Sequence, residues 1–280
     1  MTHASDNAAG SIGIFDSGYG GLTILRQIRQ YLPEYDYIYL GDNARAPYGP
    51  RSFEVVYAYT LQAVEALYRR GCNLVILACN TASAKALRTI QENDLPRWGG
   101  AKRVLGVIRP TVEALGDITR TRHVGLLATP GTVGSRSYEL ELQKLYGDIR
   151  LTSVACPMWV ALVEYGEFDS PGADYFIRKR IETVMRKDPE VDTLILGCTH
   201  FPLLMEKITK YTPPGVRLVP QGEYVARSLA AYLGRHAQMR ARCTTGGTCR
   251  FLTTESAETF RRTASIFLHK QVKEVEKIEL

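Results

Sequence analysis

Three strand–loop units occur twice in this chain, in the same order. The first set is IGIF at 12–15 leading into DSGYGG, DYIYL at 36–40 leading into GDNARAPYGP, and LVILA at 74–78 ending at Cys79. The second set is VGLLA at 124–128 leading into a Gly-containing loop, LTSVACP at 151–157, and TLILG at 193–197 ending at Cys198. Gly13 and Gly125 are 112 residues apart, Tyr39 and Ser153 are 114 apart, and Cys79 and Cys198 are 119 apart. A slowly growing offset is what an internal duplication with small insertions leaves behind. Helical patterns separate the apolar runs: residues 22–32, with Leu22, Leu25, Ile28 and Leu32 at helical spacing, about 52–69, and a stretch following Asn80. Short apolar runs alternating with helices predict an α/β fold with a mainly parallel sheet.

The pattern also predicts where the repeat stops. VLGVI at 104–108 reads as a strand, and beyond about 212 the duplication is no longer followed. TPPGVRLVPQG is rich in Pro and Gly and reads as a crossing linker. Residues 223–233 read as a helix, RFLTT at 250–254 as a strand, and 255–268 as a helix starting at a Ser or Thr cap. The first ten residues read as a mobile tail, and the charged end HKQVKEVEKIEL as a fraying one.

Composition narrows the class. A chain of 280 residues, 45% hydrophobic and 23% charged, is an ordinary globular protein. It has no stretch long enough to span a bilayer and no secretory h-region, so the expected location is the cytoplasm, with no membrane partner. Six cysteines without a CxxC pair do not read as a disulfide scaffold or a zinc ribbon, so Cys243 and Cys249 are expected as free thiols and Cys72 and Cys156 as buried small hydrophobes. The net charge of +6 suits an anionic substrate. It also allows a nucleic acid or a nucleic-acid enzyme as partner, but no nucleic-acid motif supports one.

Ligands of open parallel sheets bind at the carboxyl ends of the strands. Asp16, the GDNARAPYG loop, Cys79 and Cys198 all fall there. Each cysteine also precedes a helix start, with Asn80–Thr81 and Thr199 as cap-competent residues. Free N–H groups and the helix dipole are expected to lower the thiol pKa towards neutrality and to anchor a carboxylate. One such Cys reads best as packed core; two in matched positions read as a site. His200, two residues after Cys198, can tune that thiol. Taken alone, Asp16 reads as a turn or cap residue and Glu164 as a solvated helix residue. DSGYGG matches neither nucleotide-loop pattern.

The segments IGIFDSGYGGL, GDNARAPYG, ILACNTASA, ACPMWVALVE, LILGCTHFPLL and FLTTESAETF together resemble the bacterial glutamate racemases of the aspartate/glutamate racemase family, over nearly the whole chain. Ser83 favours glutamate over aspartate in that resemblance. It implies two pseudo-symmetric α/β lobes with the active site in the cleft between them. Residues 1–100 plus 212–280 would form the first lobe, carrying Asp16 and Cys79, and 101–211 the second, carrying Glu164 and Cys198. It implies Cys79 and Cys198 as acid/base catalysts on opposite faces of the α-carbon, with Cys79 acting on D-glutamate and Cys198 on L-glutamate. Asp16, Glu164 and His200 would assist proton transfer. Asp16, Ser17, Tyr48, Gly49, Asn80, Thr81, Thr199 and His200 would hold the substrate. No metal or other cofactor is implied; the product is D-glutamate for peptidoglycan, and a homodimer is common in the family. The chain departs from the family pattern at Ala161, where Pro is common, at Phe201, where Tyr is common, and at Gln221–Gly222, where an Asp-Ser or Asp-Pro step is common.

Inverting a carbon requires a base on one face and an acid on the other, which is why two thiols matter. Decarboxylation of a malonate-type acid needs one proton donor and leaves the second Cys unexplained, as does a Cys–His hydrolase dyad. Aspartate racemisation, a redox pair and a non-catalytic regulatory protein are the remaining rivals.

Overall fold

The computed structural model describes residues 8–280. Of the expected N-terminal tail, residues 1–7 lie outside the described residues; Gly10 donates to the Arg242 carbonyl and accepts from Thr244, so the chain is already tied down there.

Ten strands form two parallel sheets: β1 (Ile12–Asp16), β2 (Tyr37–Gly41), β3 (Leu74–Leu77), β4 (Arg103–Gly106), β5 (His123–Ala128), β6 (Arg150–Ala155), β7 (Thr193–Gly197), β8 (Arg217–Pro220), β9 (Cys249–Thr253) and β10 (Glu276–Lys277). β1, β2, β3 and β7 are buried along their whole length, as expected of strands covered by helices on both faces. The first sheet runs β10-β9-β2-β1-β3-β4 and the second β6-β5-β7-β8. The order β2-β1-β3-β4 is thus repeated as β6-β5-β7-β8.

The register carries the duplication to the level of single residues. Ile14 pairs with Tyr39 and Ile76, and Leu126 pairs with Ser153 and Ile195. The three separations are 112, 114 and 119, the offsets found in the sequence. A fourth strand extends the match. Ile76 pairs with Leu105 and Ile195 with Val219, so β8 is the counterpart of β4. The Pro/Gly-rich segment expected to be a linker therefore contains a strand, four residues long, sitting on a sheet edge where Pro220 at its end removes no needed donor. Sheet membership also differs from the expected division of the chain: β4 joins the first sheet, and β8 the second.

The C-terminal end does not fray. β10 pairs in parallel with β9, the Ile278 N–H donates to the Thr253 carbonyl, and Ile278 is buried. In EVEKIEL at 274–280 the apolar Val275, Ile278 and Leu280 pack inward between charged residues, which is how an edge strand is protected from pairing elsewhere.

The helices start where capping residues stand. Ser52 accepts from Val55 N–H ahead of helix Phe53–Arg69, and Ser256 accepts from Thr259 N–H ahead of helix Ala257–Leu268. The largest apolar core joins both sheets and their flanking segments, from Ile14 and Leu25 in one lobe to Leu194 and Phe201 in the other.

Candidate active site

In both sheets the central strand sends its next neighbour in sequence to one side and a later strand to the other, and a crevice opens at the carboxyl ends where the order reverses. Asp16 ends β1 and Ser17 follows it, and Cys79 follows β3; Thr129 follows β5, and Cys198 follows β7. Each thiol stands at the switch point of its own sheet. The two crevices face one another. Ser17, Tyr48, Gly49, Cys79, Asn80, Thr81, Cys198, Thr199, His200 and Glu164 all line one cavity of about 30 Å³.

Close approach of the two lobes depends on glycine. A Cβ on Gly20 would sit 2.3 Å from Thr199 Oγ1 and 2.5 Å from His200 Nδ1, so DSGYGG can lie against the Cys198 loop only because position 20 has no side chain. Thr23 Oγ1 donates to the Thr199 carbonyl at 3.0 Å and fixes the same contact.

The Cys79 side is a helix N-terminus. Cys79 is the cap of helix Asn80–Lys85, and its sulfur accepts from Ala82 N–H at 3.4 Å. The thiol reaches Ser17 Oγ at 3.4 Å. The expected lowering of its pKa is not what this structure gives. Burial pushes the Cys79 thiol up to about 12, the carboxyl of Asp16 adds to the rise, and the Ser17 hydroxyl and Ala82 N–H only partly offset them. One turn of helix cannot outweigh full desolvation of a thiolate.

The Cys198 side is a turn followed by the short 3-10 segment Phe201–Leu204. Here the sulfur lies 3.9 Å from His200 Nδ1, and His200 Nε2 lies 2.5 Å from Glu164 Oε1. Burial alone would lower the imidazole, but hydrogen bonds to Cys198 and Glu164 prevail and hold it up at about 10. Glu164, which by itself reads as a solvated helix residue, closes helix Trp159–Glu164 as the ion-pair partner of His200, and the helix's first residue, Trp159, is fully buried edge-on against Phe201.

Asp16 is the one expected site residue outside the cavity lining. Fully buried, it accepts from Gly18 N–H at 3.0 Å and from Thr199 Oγ1 at 3.3 Å. Burial raises its pKa, while the field of His200 opposes the rise. It stands behind the site and holds Thr199. Tyr48 lines the cavity but points its hydroxyl at Asp42 Oδ2, 2.5 Å away, where Arg45 also binds, while Thr254 donates to Asp42 Oδ1. Thr129, Val160, Gly18, Ala46 and Pro47 line the cavity too and escaped sequence reasoning. Thr129 was legible: it stands 112 residues after Ser17, the offset of the duplication, and its Oγ1 meets Thr81 Oγ1 at 3.0 Å. All six cysteines are free thiols. Among the described residues no three His, Cys, Asp or Glu side chains are grouped as a metal ion requires.

Twin lobes facing each other, each giving one thiol to a shared cavity, have the layout of an isomerase site. The family model for Asp/Glu/hydantoin racemases matches residues 20–229, and the chain belongs to that family. A glutamate racemase of Ruegeria sp. is 42% identical, over 94% of this chain and 98% of its own length. Among solved structures, a glutamate racemase isoform of Bacillus anthracis superposes with a TM-score of 0.88 at 33% identity, covering 97% of this chain and 98% of its own. A glutamate racemase of Francisella tularensis, solved in complex with D-glutamate, gives 0.84 at 31% identity, covering 98% of both chains.

Proposed function

We propose that this protein interconverts L- and D-glutamate through Cys79 and Cys198 acting on opposite faces of the α-carbon, without PLP or a metal, and so supplies D-glutamate for peptidoglycan. The observation that carries the reading is the placement of the two thiols. They come from matched strand ends of duplicated lobes and line one buried cavity.

In one direction the thiolate of Cys198 takes the α-proton of L-glutamate; the electron pair left on carbon is reprotonated by the Cys79 thiol from the other face. The products are D-glutamate, a Cys198 thiol and a Cys79 thiolate, and the reverse reaction exchanges the roles. The helix N-terminus at Asn80 and the hydroxyls of Thr81 and Thr199 suit the substrate carboxylates. Ser17 supports the Cys79 thiolate, and protonated His200, held by Glu164, supports that of Cys198. Asp16 acts through Thr199. In this dry cleft, fixed donors replace water around the developing charge. A cavity of about 30 Å³ has room for about two waters, so the lobes part to admit an amino acid.

Sheet membership supports lobes of residues 8–107 with 221–280, and 108–220. The reading also includes a cytoplasmic homodimer. The free thiols suit a reducing compartment, and among the described residues no helix is long and apolar enough to cross a membrane. Light scattering tests the dimer.

The test of the activity is circular dichroism of each glutamate enantiomer with purified protein, in EDTA and without PLP. Loss of signal from both supports the reading. An unchanged signal from both, with L-aspartate also inert, would bring a non-catalytic binding role forward.

A further inference from the structure

The family departure at Gln221 has a structural counterpart. Gln221 is the residue at which the chain leaves β8 for helix Gly222–Arg235, and its side chain is buried. Three hydrogen bonds close a ring around it. Asn80 Nδ2 donates to Gln221 Oε1 at 2.6 Å, Gln221 Nε2 donates to the Tyr138 hydroxyl at 2.7 Å, and that hydroxyl donates to Asn80 Oδ1 at 2.8 Å. Gln221 Nε2 also donates to Thr111 Oγ1 at 2.8 Å. All four residues are buried. Asn80 begins the helix capped by Cys79, Tyr138 and Thr111 lie on helices of the second lobe, and Gln221 lies on the crossing between the lobes.

The ring is directional. Each member both donates and accepts, so its bonds polarise one another in a low-dielectric interior. Reversing the Asn80 amide would set its carbonyl against the Gln221 carbonyl at 2.6 Å and leave the Tyr138 hydroxyl facing N–H donors from both amides. Thr111 Oγ1 gives its hydrogen to the Val107 carbonyl and can only accept from Gln221, so Gln221, and through it Asn80, has one orientation. One Nδ2 hydrogen goes to Gln221, which leaves the second outside the ring, on a residue that lines the cavity. An oriented N–H donor on the cavity wall is suited to a substrate carboxylate.

We propose that Gln221 is a positioning residue: acting through Asn80, it fixes the amide that receives a substrate carboxylate and ties that orientation to closure of the two lobes. The proposal rests on the racemase reading above. A Met at position 221 keeps the volume and removes the amide; a Phe at position 138 removes only the hydroxyl. The experiment measures KM and kcat for both glutamate enantiomers, together with melting temperature, in wild type, Gln221→Met, Tyr138→Phe and the double variant. Each single change is expected to raise KM about tenfold with kcat held within about twofold, as loss of one oriented hydrogen bond to a charged group would give. The double variant is expected to be no worse than the worse single, because the ring acts as a unit. An active wild type whose variants lose only melting temperature, or whose KM effects multiply in the double variant, overturns the proposal and leaves the racemase reading standing. A wild type inert towards glutamate overturns both. Tyr138→Phe removes one atom and carries the test alone should Gln221→Met not fold.

Discussion

The two thiols occupy equivalent strand ends, yet their surroundings are chemically different. Cys79 caps a helix and touches the Ser17 hydroxyl, and burial, with the charge of Asp16 after it, drives its proton affinity up. Cys198 opens onto a 3-10 turn and has a protonated His200 beside it, itself held by Glu164. Duplication copied the backbone that places a thiol on each face of the substrate; it did not copy the groups that manage the proton. The offset marks the divergence. The 119-residue shift that equates Cys79 with Cys198 equates Thr81 with His200, so a hydroxyl stands on one side where an imidazole stands on the other.

The comparison is first tested at the residues the two sides share. Cys79→Ala and Cys198→Ala are each expected to reduce racemisation by at least about 10³-fold, since neither face has a second base in place. Activity retained by either variant breaks the two-thiol reading.

The next effect falls on one side only. His200→Asn is expected to lower kcat/KM about 10²-fold. Enantiomers have equal free energy, so the loss must be equal in both directions. The asymmetry is read instead in the α-deuterium isotope effect, which should grow for L-glutamate, the substrate of Cys198, and shrink for D-glutamate, whose deuterium leaves in the Cys79 step that no longer limits the rate. Equal growth for both would mean that the two sides are managed alike.

Glu164→Gln sharpens the electrostatic part. His200 is held at about 10 against an ordinary 6.5, so its pairing stabilises the fold fully below 6.5 and is lost as pH rises through about 10. Urea unfolding should therefore show wild type more stable than Glu164→Gln below 6.5, with the gap closing towards and beyond pH 10. A gap independent of pH removes the ion pair from the account.

The smallest effect concerns what the first lobe has and the second lacks. Ile278→Ala, at the edge strand found in only one sheet, is expected to cost about 2 kcal/mol in denaturant unfolding and to leave the activity of folded protein unchanged. A change in KM would tie this strand to the site.

Much of this was legible in the sequence because it is carried by period and position. Buried strands read as apolar runs, and the matched offsets located Cys79, Cys198 and, had they been pressed further, Thr129. Ser256 announced its helix. What stayed hidden depends on tertiary neighbours. β8 is four residues between Pro and Gly signals, and only its pairing with β7 makes it a strand. β10 is two residues long and held by β9. Glu164 resembled a solvated helix residue until His200 met it, and Gln221 a loop residue until Asn80 and Tyr138 closed around it. The raised Cys79 pKa is hidden for the same reason: a helix terminus is visible in sequence, whereas the depth at which it is buried is not.

The most direct test of opposed thiols is α-proton exchange in D₂O, followed by proton NMR, for Cys79→Ser and Cys198→Ser with each enantiomer separately. The account predicts that Cys79→Ser exchanges only L-glutamate and Cys198→Ser only D-glutamate, slowly and with no inversion. Exchange of both enantiomers by either variant would contradict it, because one thiol would then be serving both faces.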